Sequence, residues 1–298
     1  MVKKKTPRAA GRYYRADFFS RTGMPLCVLP VDSHRPIPLH GHDFTELVLV
    51  RAGQGTHITG RGRHPLCAGD VFVIHGPELH AYEEVRGFSI TNVFFDLEEL
   101  NLPLQDMREM PGYQALFSLE PALRKRHGLR SPLHLDPADL ATADDLSRRI
   151  LSESTAKAAG YRALCLSLFC QMIVFLSRCY QQGRGTDAAS LLRLGAALSL
   201  MESRFQERIT LGDLAAAAGM SQSSFQRAFR RALDRSPVDY LIRFRIRKST
   251  ELLKDPSLSV TQAAFRSGFE DSNYFSRMFK RVTGASPRQY RARLGRFY

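Results

Sequence analysis

No stretch of this 298-residue chain reaches the roughly 18 consecutive apolar residues expected of a membrane-spanning helix. The nearest, ALCLSLFCQMIVFL at 163–176, is too short, so no membrane association is expected. The basic start MVKKKTPRAAGRYYR is not followed by the apolar core of a secretory signal, and none is expected. A disulfide framework is missing as well: the five cysteines are odd in number and irregular in spacing, which fits a reducing compartment and a cytoplasmic protein. Cys165, Cys170 and Cys179 lie on or beside an apolar helix and read as buried free thiols. Catalytic signatures are scarce too. There is no Gly-rich phosphate loop, no nucleophile elbow and no Cys/His pairing with an evident role.

What the chain does have is uneven. The length suits two domains, and the net charge of +14 is concentrated at the ends. Residues 186–298 carry 20 Lys/Arg against 10 Asp/Glu, residues 1–15 carry six basic groups and no acid, and residues 16–185 carry 17 against 19. All nine histidines fall between His34 and His134. Basic matter at one end and ligand-type side chains at the other suggest two separate tasks.

Short runs rich in Val, Ile, Phe and Thr occupy residues 17–96. TELVLV, GTHIT, DVFVI, HAYEEV and FSITNVFF read as strands, and RAGQG, RGRHPLCAG and HGPE as turns, a pattern that predicts a sandwich or barrel. From about residue 137 the period changes to that of helices, with an apolar run from Tyr161 to Tyr180 that needs a partner surface, such as a second subunit. The polar segment QQGRGTDAAS at 181–190 reads as a linker, and the basic residues 1–16 as a flexible arm, with added nonspecific affinity for DNA as the alternative.

Residues 191–298 contain an internal repeat. LAAAAGMSQSSFQRAFRRALDRSPVDY (214–240) aligns with AAFRSGFEDSNYFSRMFKRVTGASPRQY (263–290), pairing Gly219 with Gly268 and Phe225, Phe229, Pro237 and Tyr240 with Phe275, Phe279, Pro287 and Tyr290. Each copy reads as helix, Gly-containing turn, helix. In the first, Phe225, Phe229 and Leu233 form the buried stripe and Ser223, Gln226, Arg227 and Arg230 the outer face. In the second, Phe275, Met278, Phe279 and Val282 are buried, while Asp271, Asn273, Ser276, Arg277 and Lys280 are candidates to meet DNA. Such faces combine base-edge readers with phosphate neutralisers. Ser236-Pro237 starts a long helix between the copies, a rod of roughly 27 Å that can set two recognition helices into adjacent major grooves.

The span 191–293 resembles the DNA-binding domain of the AraC/XylS family of bacterial transcription regulators, and AAFRSGFEDSNYFSRMFKRVTGASPRQY matches that family's signature almost throughout. The resemblance implies two helix-turn-helix units, with recognition helices at about 222–233 and 271–282. It also implies double-stranded DNA near promoters, RNA polymerase and a small-molecule effector as partners, with activation as the usual outcome.

A second cluster lies in PLHGHDFTELVLV at 38–50. Alternate residues of a strand share a face, which would bring His40, His42, Phe44 and Glu46 together, and His80 and Tyr82 share a face on a later strand. The stretch resembles a cupin: His40, His42, Glu46 and Gly53 satisfy the first half of that pattern, and Gly69, Pro77 and His80 the second. Metal cupins use these groups as ligands, so His40, His42, Glu46 and His80 could hold Zn, Mn, Fe or Ni. The sensing domains of AraC/XylS members are also cupin-like, and there the same groups would bind a small molecule without metal, rings such as Phe44 and Tyr82 packing on a sugar. Structural hydrogen bonding inside the barrel is the third alternative. HDFTELVLVRAGQGTHI and ITNVFF look most like the rhamnose-responsive activators of this family, which points to a monosaccharide.

The expected fold class is therefore α+β multidomain: a basic arm at 1–16, a cupin-like ligand-sensing barrel at 17–135, a helical dimerisation segment at 136–182, a linker at 183–190, and an all-α domain with two helix-turn-helix units at 191–298. The expected function is a dimeric, sugar-responsive activator without cofactor or catalysis. A metal cupin enzyme fused to a DNA anchor and an effector-independent regulator are the alternatives.

Overall fold

Strands come first in the computed structural model, which describes residues 11–100, 102, 104–127, 133–183 and 186–294. The first unit, Met1–Gly195, runs β1 (Arg12–Tyr13), α1 (Arg15–Thr22), β2 (Leu26–Val31), β3 (Ile37–His42), β4 (Thr45–Thr59), β5 (Gly62–Cys67), β6 (Asp70–His75) and β7 (His80–Phe95). There follow α2 (Leu97–Leu100), α3 (Leu104–Arg108), α4 (Pro111–Tyr113), a π-helical turn (Gln114–Leu119), α5 (Glu120–His127), β8 (Leu133–His134), α6 (Pro137–Ala156) and α7 (Tyr161–Gln182). β4 and β7 are antiparallel along nearly their whole length. The first half of β4 also pairs with β6 and its second half with β5, while β7 pairs with β3 near His80 and with β2 near Phe95.

The two halves fold over one another because the long strands bend where they cross. Register shifts between Val50 and Thr56 mark bulges. Gly53 sits at φ 72°, and a Cβ there would lie 2.3 Å from the Gly87 carbonyl oxygen, so only glycine permits this approach. The enclosed core joins both halves: Val48, Val50, Leu66, Phe72, Ile74, Tyr82, Phe88 and Ile90. Two turns expected from the sequence are thereby corrected. RAGQG lies inside β4, since its glycines serve a bulged bend and not a chain reversal, and most of RGRHPLCAG is β5. The turn at HGPE is present.

α6 starts on Asp136, whose side chain accepts from Ala138 N and Asp139 N, with Pro137 in the first turn. α7 has 22 residues, longer than the apolar run within it, and by length and composition alone could cross a membrane. In this fold it packs on α6 and α4. Cys165, Leu168, Phe169, Met172, Ile173, Leu176 and Tyr180 are buried on it, so its apolar character is that of a core helix on this face. All five cysteines are free.

Residues 1–10 of the expected arm lie outside the described residues. Its remainder is structured, Arg12–Tyr13 pairing with Gly41–His42 of β3 and α1 beginning at Arg15. The expected linker at 183–190 is corrected as well: apart from residues 184 and 185, which are not described, it enters α8 (Thr186–Ser203) at Thr186. The boundary between the two units falls inside α8, at Gly195/Ala196.

The second unit, Ala196–Tyr298, continues with α9 (Leu211–Ala217), α10 (Gln222–Leu233), α11 (Pro237–Leu252), α12 (Val260–Arg266), α13 (Ser272–Thr283) and α14 (Pro287–Leu294). Local signals repeat. Capping boxes open α9 (Thr210/Asp213) and α12 (Ser259/Gln262), and the side chains of Ser221 and Asp271 cap α10 and α13. Phe225 and Phe229 are fully buried with Tyr240 edge-on to Phe229 at 5.7 Å, and Phe275 and Phe279 repeat this with Tyr290 at 5.4 Å. The 16 residues of α11 make a rod of about 24 Å, slightly shorter than expected.

Candidate ligand pocket and nucleic-acid interface

β3 and β4 are separate strands, so the one-strand account of His40, His42, Phe44 and Glu46 is corrected: the chain turns at Asp43–Phe44. Pairing across strands brings the groups together instead. His40 stands opposite His80 on β7, and Glu46 opposite Phe94. The Oε2 of Glu46, 3% exposed, lies 3.2 Å from His42 Nε2 and 3.4 Å from His80 Nε2. Phe44 stacks on the His42 ring with centroids 4.5 Å apart, and the His40 ring lies 4.2 Å from that of His80. Tyr13 of β1 is edge-on to His40 at 5.1 Å.

The ring orientations follow from the other nitrogens. Nδ1 of His42 is 2.7 Å from the Phe44 carbonyl, Nδ1 of His40 is 3.0 Å from that of Pro38, and Nδ1 of His80 is 3.4 Å from that of Glu78. A carbonyl only accepts, so each Nδ1 carries the hydrogen and donates it. In the neutral imidazole Nε2 is then a lone pair, and two such lone pairs face the Glu46 carboxylate. Neither nitrogen makes an aligned hydrogen bond. A proton, a cation or a hydroxyl donor is required between them. Burial by itself would raise the Glu46 pKa, but with protons on the facing His42 and His80 nitrogens their hydrogen bonds and charge outweigh it and hold the carboxyl well below its usual range. Burial lowers His40 to about 4, helped by the charge of His80, and lowers His57 well below its usual value.

Further along the interior stands a rung the sequence reading missed. His57 on β4 is directly opposite His64 on β5 and Tyr82 on β7. His57 and Tyr82 are each 1% exposed and His64 6%, and the Nε2 atoms of both histidines and the Tyr82 hydroxyl have no hydrogen-bond partner. The His57 ring lies 5.6 Å from that of His80, which links rung and carboxylate cluster. Arg124 of α5 covers Phe72 at 4.9 Å, donates to the Val73 carbonyl at 2.8 Å and is paired with Glu120.

Two groups of described residues have metal-binding reach. His42, Glu46 and His80 offer ligand atoms within 4.8 Å of one another, a donor set that fits a divalent ion, the Nδ1 donations to carbonyls orienting the imidazoles for it. His40 stands outside this trio. The second group is Cys67, Asp70 and His134, in which Asp70 already accepts from Cys67 N and His134 Nδ1 at 2.9 Å each.

On the second unit the outer faces are where the periodicity puts them. Ser223, Gln226, Arg227 and Arg230 of α10 and Asn273, Arg277 and Lys280 of α13 are exposed. Two other candidates have local roles. Asp271 accepts from Asn273 N at 2.7 Å and Tyr274 N at 2.8 Å as the cap of α13, and half-buried Ser276 donates to the Ser272 carbonyl at 2.9 Å.

Comparison with known proteins agrees with both halves of this description. The family described as AraC-like ligand binding domain matches residues 31–171, and the one described as helix-turn-helix domain matches residues 214–293. The chain belongs to the AraC/XylS family. This AraC/XylS regulator is 26% identical over 276 residues to the HTH-type transcriptional activator RhaR of Mannheimia succiniciproducens, covering 93% of this chain and 95% of that protein. It is 28% identical over 284 residues to the HTH-type transcriptional activator RhaS of Escherichia fergusonii, covering 94% and 96%. A solved AraC-type transcriptional regulator from Chromobacterium violaceum is 30% identical over 36% of this chain and 96% of its own, with a TM-score of 0.34. DNA and a small-molecule effector are accordingly the partners of the AraC/XylS regulator.

Proposed function

We propose that the regulator activates carbohydrate-utilisation genes in response to a monosaccharide bound inside the barrel by His40, His42, Phe44, Glu46, His80 and Tyr82. The observation that carries this reading is the set of buried polar atoms around Glu46, all on inward faces and short of hydrogen-bond donors, in a chain that also presents two basic recognition helices. The names of the relatives, both transcriptional activators, support the direction of the response. The sugar binds one arrangement of the protein more tightly than another and so shifts its population. α6 and α7 mediate a homodimer, which sets four helix-turn-helix units on DNA and presents the complex to RNA polymerase in the cytoplasm. No catalytic step is assigned to the barrel.

A second reading is favoured by one specific observation. His42, Glu46 and His80 fit a divalent ion, which would satisfy both lone pairs and the carboxylate at once. Thermal unfolding of the full chain against a sugar panel, with and without EDTA, decides between them. A bound sugar at a hundredfold excess over its Kd adds about 2.7 kcal/mol whether or not EDTA is present. A midpoint lowered by EDTA and unmoved by every sugar selects the metal and refutes the sensor as described.

A further inference from the structure

The corner where β5 passes into β6 carries a set of ligand-type side chains apart from the Glu46 cluster. Cys67 ends β5, Asp70 opens β6, and His134 of β8 is paired opposite Asp70. Glu46 stands opposite Ile74, four residues or about 13 Å further along β6, so the two groups cannot share an ion.

Hydrogen bonds hold this corner in place without any ligand. Ala68 N donates to the Gly53 carbonyl at 3.1 Å and Gly69 N to that of Val50 at 2.9 Å, which pins the turn to the bend of β4. Leu135 N donates to the Gly69 carbonyl at 2.9 Å and fixes the end of β8 on the same turn. Gly69 sits at φ 96°, and a Cβ there would come within 2.9 Å of the His134 ring, so glycine lets the imidazole lie over the turn. Asp70, 2% exposed, accepts from Cys67 N through Oδ2 and from His134 Nδ1 through Oδ1, at 2.9 Å each. The Cys67 sulfur is 3.7 Å from Oδ2. One sulfur, one imidazole nitrogen and one carboxylate oxygen therefore lie within 4.8 Å of one another.

The donor set selects the ion. Magnesium and calcium require shells of oxygen, whereas a thiolate with an imidazole and a carboxylate suits zinc. Three protein donors leave the fourth tetrahedral position to water, and the exposure of His134 opens that position to solvent. A closed structural site would hold four protein ligands; an open one can load and unload. His134 also stands two residues before Asp136, the cap of α6.

We propose that Cys67, Asp70 and His134 form an exchangeable zinc site at the β5–β6 corner, which ties that turn to the start of α6. Binding releases the Cys67 thiol proton to solvent, and the His134 hydrogen moves from Nδ1 to Nε2 so that Nδ1 can ligate. Asp70 contributes one carboxylate oxygen, and zinc stays divalent throughout.

The test uses the full chain, reduced and freed of metal, with cobalt(II) as the spectroscopic stand-in for zinc. Among the described residues no other group with metal-binding reach contains a sulfur, so a thiolate-to-cobalt charge-transfer band reports on this site and not on His42, Glu46 and His80. The band should appear with cobalt, vanish when zinc is added, and persist in excess magnesium or calcium. Cys67→Ser should abolish it, Glu46→Gln should leave it unchanged, and His134→Gln, at an exposed position, should weaken zinc binding at least about tenfold. In thermal unfolding the zinc-dependent rise in midpoint should be kept in Glu46→Gln and reduced in Cys67→Ser; the reverse places the ion at Glu46 and overturns the proposal. No band in the wild type, or a band that survives Cys67→Ser, overturns it as well and leaves Asp70 and His134 as a hydrogen bond between β6 and β8. Unchanged zinc affinity in His134→Gln removes His134 from the site and overturns the tie to α6.

Discussion

Lowering the pH from 7 to 5 should destabilise the barrel by an amount that two buried histidines set. His40 titrates near 6.5 when unfolded and at about 4 in the fold, because burial and the neighbouring His80 disfavour its charged form. A depressed folded pKa gives stability that is present above the unfolded value and lost as the pH falls. Linkage gives almost no effect at pH 7 and a loss of about 2 kcal/mol at pH 5. His57, lowered well below its usual value chiefly by burial, loses stability in the same direction over the same interval. The groups facing the pair are His42, His80, Glu46 and Tyr13 around His40, and His64, His80, Glu46 and Arg124 around His57. Glu46 does not intrude, because its depressed carboxyl begins to lose stability only below the unfolded carboxylate value of about 4.3. Urea unfolding followed by circular dichroism and tyrosine fluorescence, in a chain without tryptophan, measures the difference. His57→Phe should make it smaller. Equal stability at pH 7 and 5, or a variant that loses as much as the wild type, would refute the argument.

Three further outcomes are expected. Phe229→Ala and Phe279→Ala, each emptying a fully buried site, cost about 3–5 kcal/mol apiece in thermal unfolding, and a loss below about 1 kcal/mol would show that the stripes are not the cores of the two helix-turn-helix repeats. Lys280→Ala weakens binding to all duplexes and lowers the slope of log affinity on log salt by about 1, whereas Asn273→Ala costs about 1–3 kcal/mol on the specific site alone; identical salt slopes and losses would remove the division between phosphate and base contacts. Asp271→Ala loses a helix cap, about 0.5–2 kcal/mol of stability, with base preference unchanged, and altered preference would return Asp271 to the interface.

How far the sequence revealed these features depended on whether the signal was local. α10 occupies Gln222–Leu233, where the family resemblance places it, and α13 occupies Ser272–Thr283, one residue from its expected place. Both stripes and both caps lie within a dozen consecutive residues. The barrel depends on pairing between distant strands. His40, His42, Glu46 and His80 are legible as candidates because they form a recognisable pattern along the chain. His57 and His64 belong to no such pattern: what makes them neighbours of Tyr82 is the register of β5 on β4 and of β4 on β7, beyond three bulges. The same bulges hid the continuity of β4, since Gly53 and Gly55 carry the composition of a turn. Asp271 has a role that the outer-face pattern did not show, since its carboxylate caps the start of α13.

The unsatisfied atoms of the barrel also bear on how a ligand could switch the regulator. A buried donor or acceptor without a partner costs about 1–3 kcal/mol, and the interior holds several: His57 Nε2, His64 Nε2, the Tyr82 hydroxyl and Asn92 Oδ1, besides the acceptors around Glu46. A ligand changes an equilibrium only by the difference between its affinities for the two states. A hundredfold preference corresponds to about 2.7 kcal/mol, which satisfying one or two of these atoms in one state and not in the other would supply. On the proposed reading, contacts at Glu46 alone would fix where a sugar sits; contacts that also reach β5 and the first half of β7 would make its affinity depend on how the two halves of the barrel are closed. A sugar able to meet only the Glu46 cluster should therefore bind without switching, and one that also meets His57, His64 and Tyr82 should bind with a response.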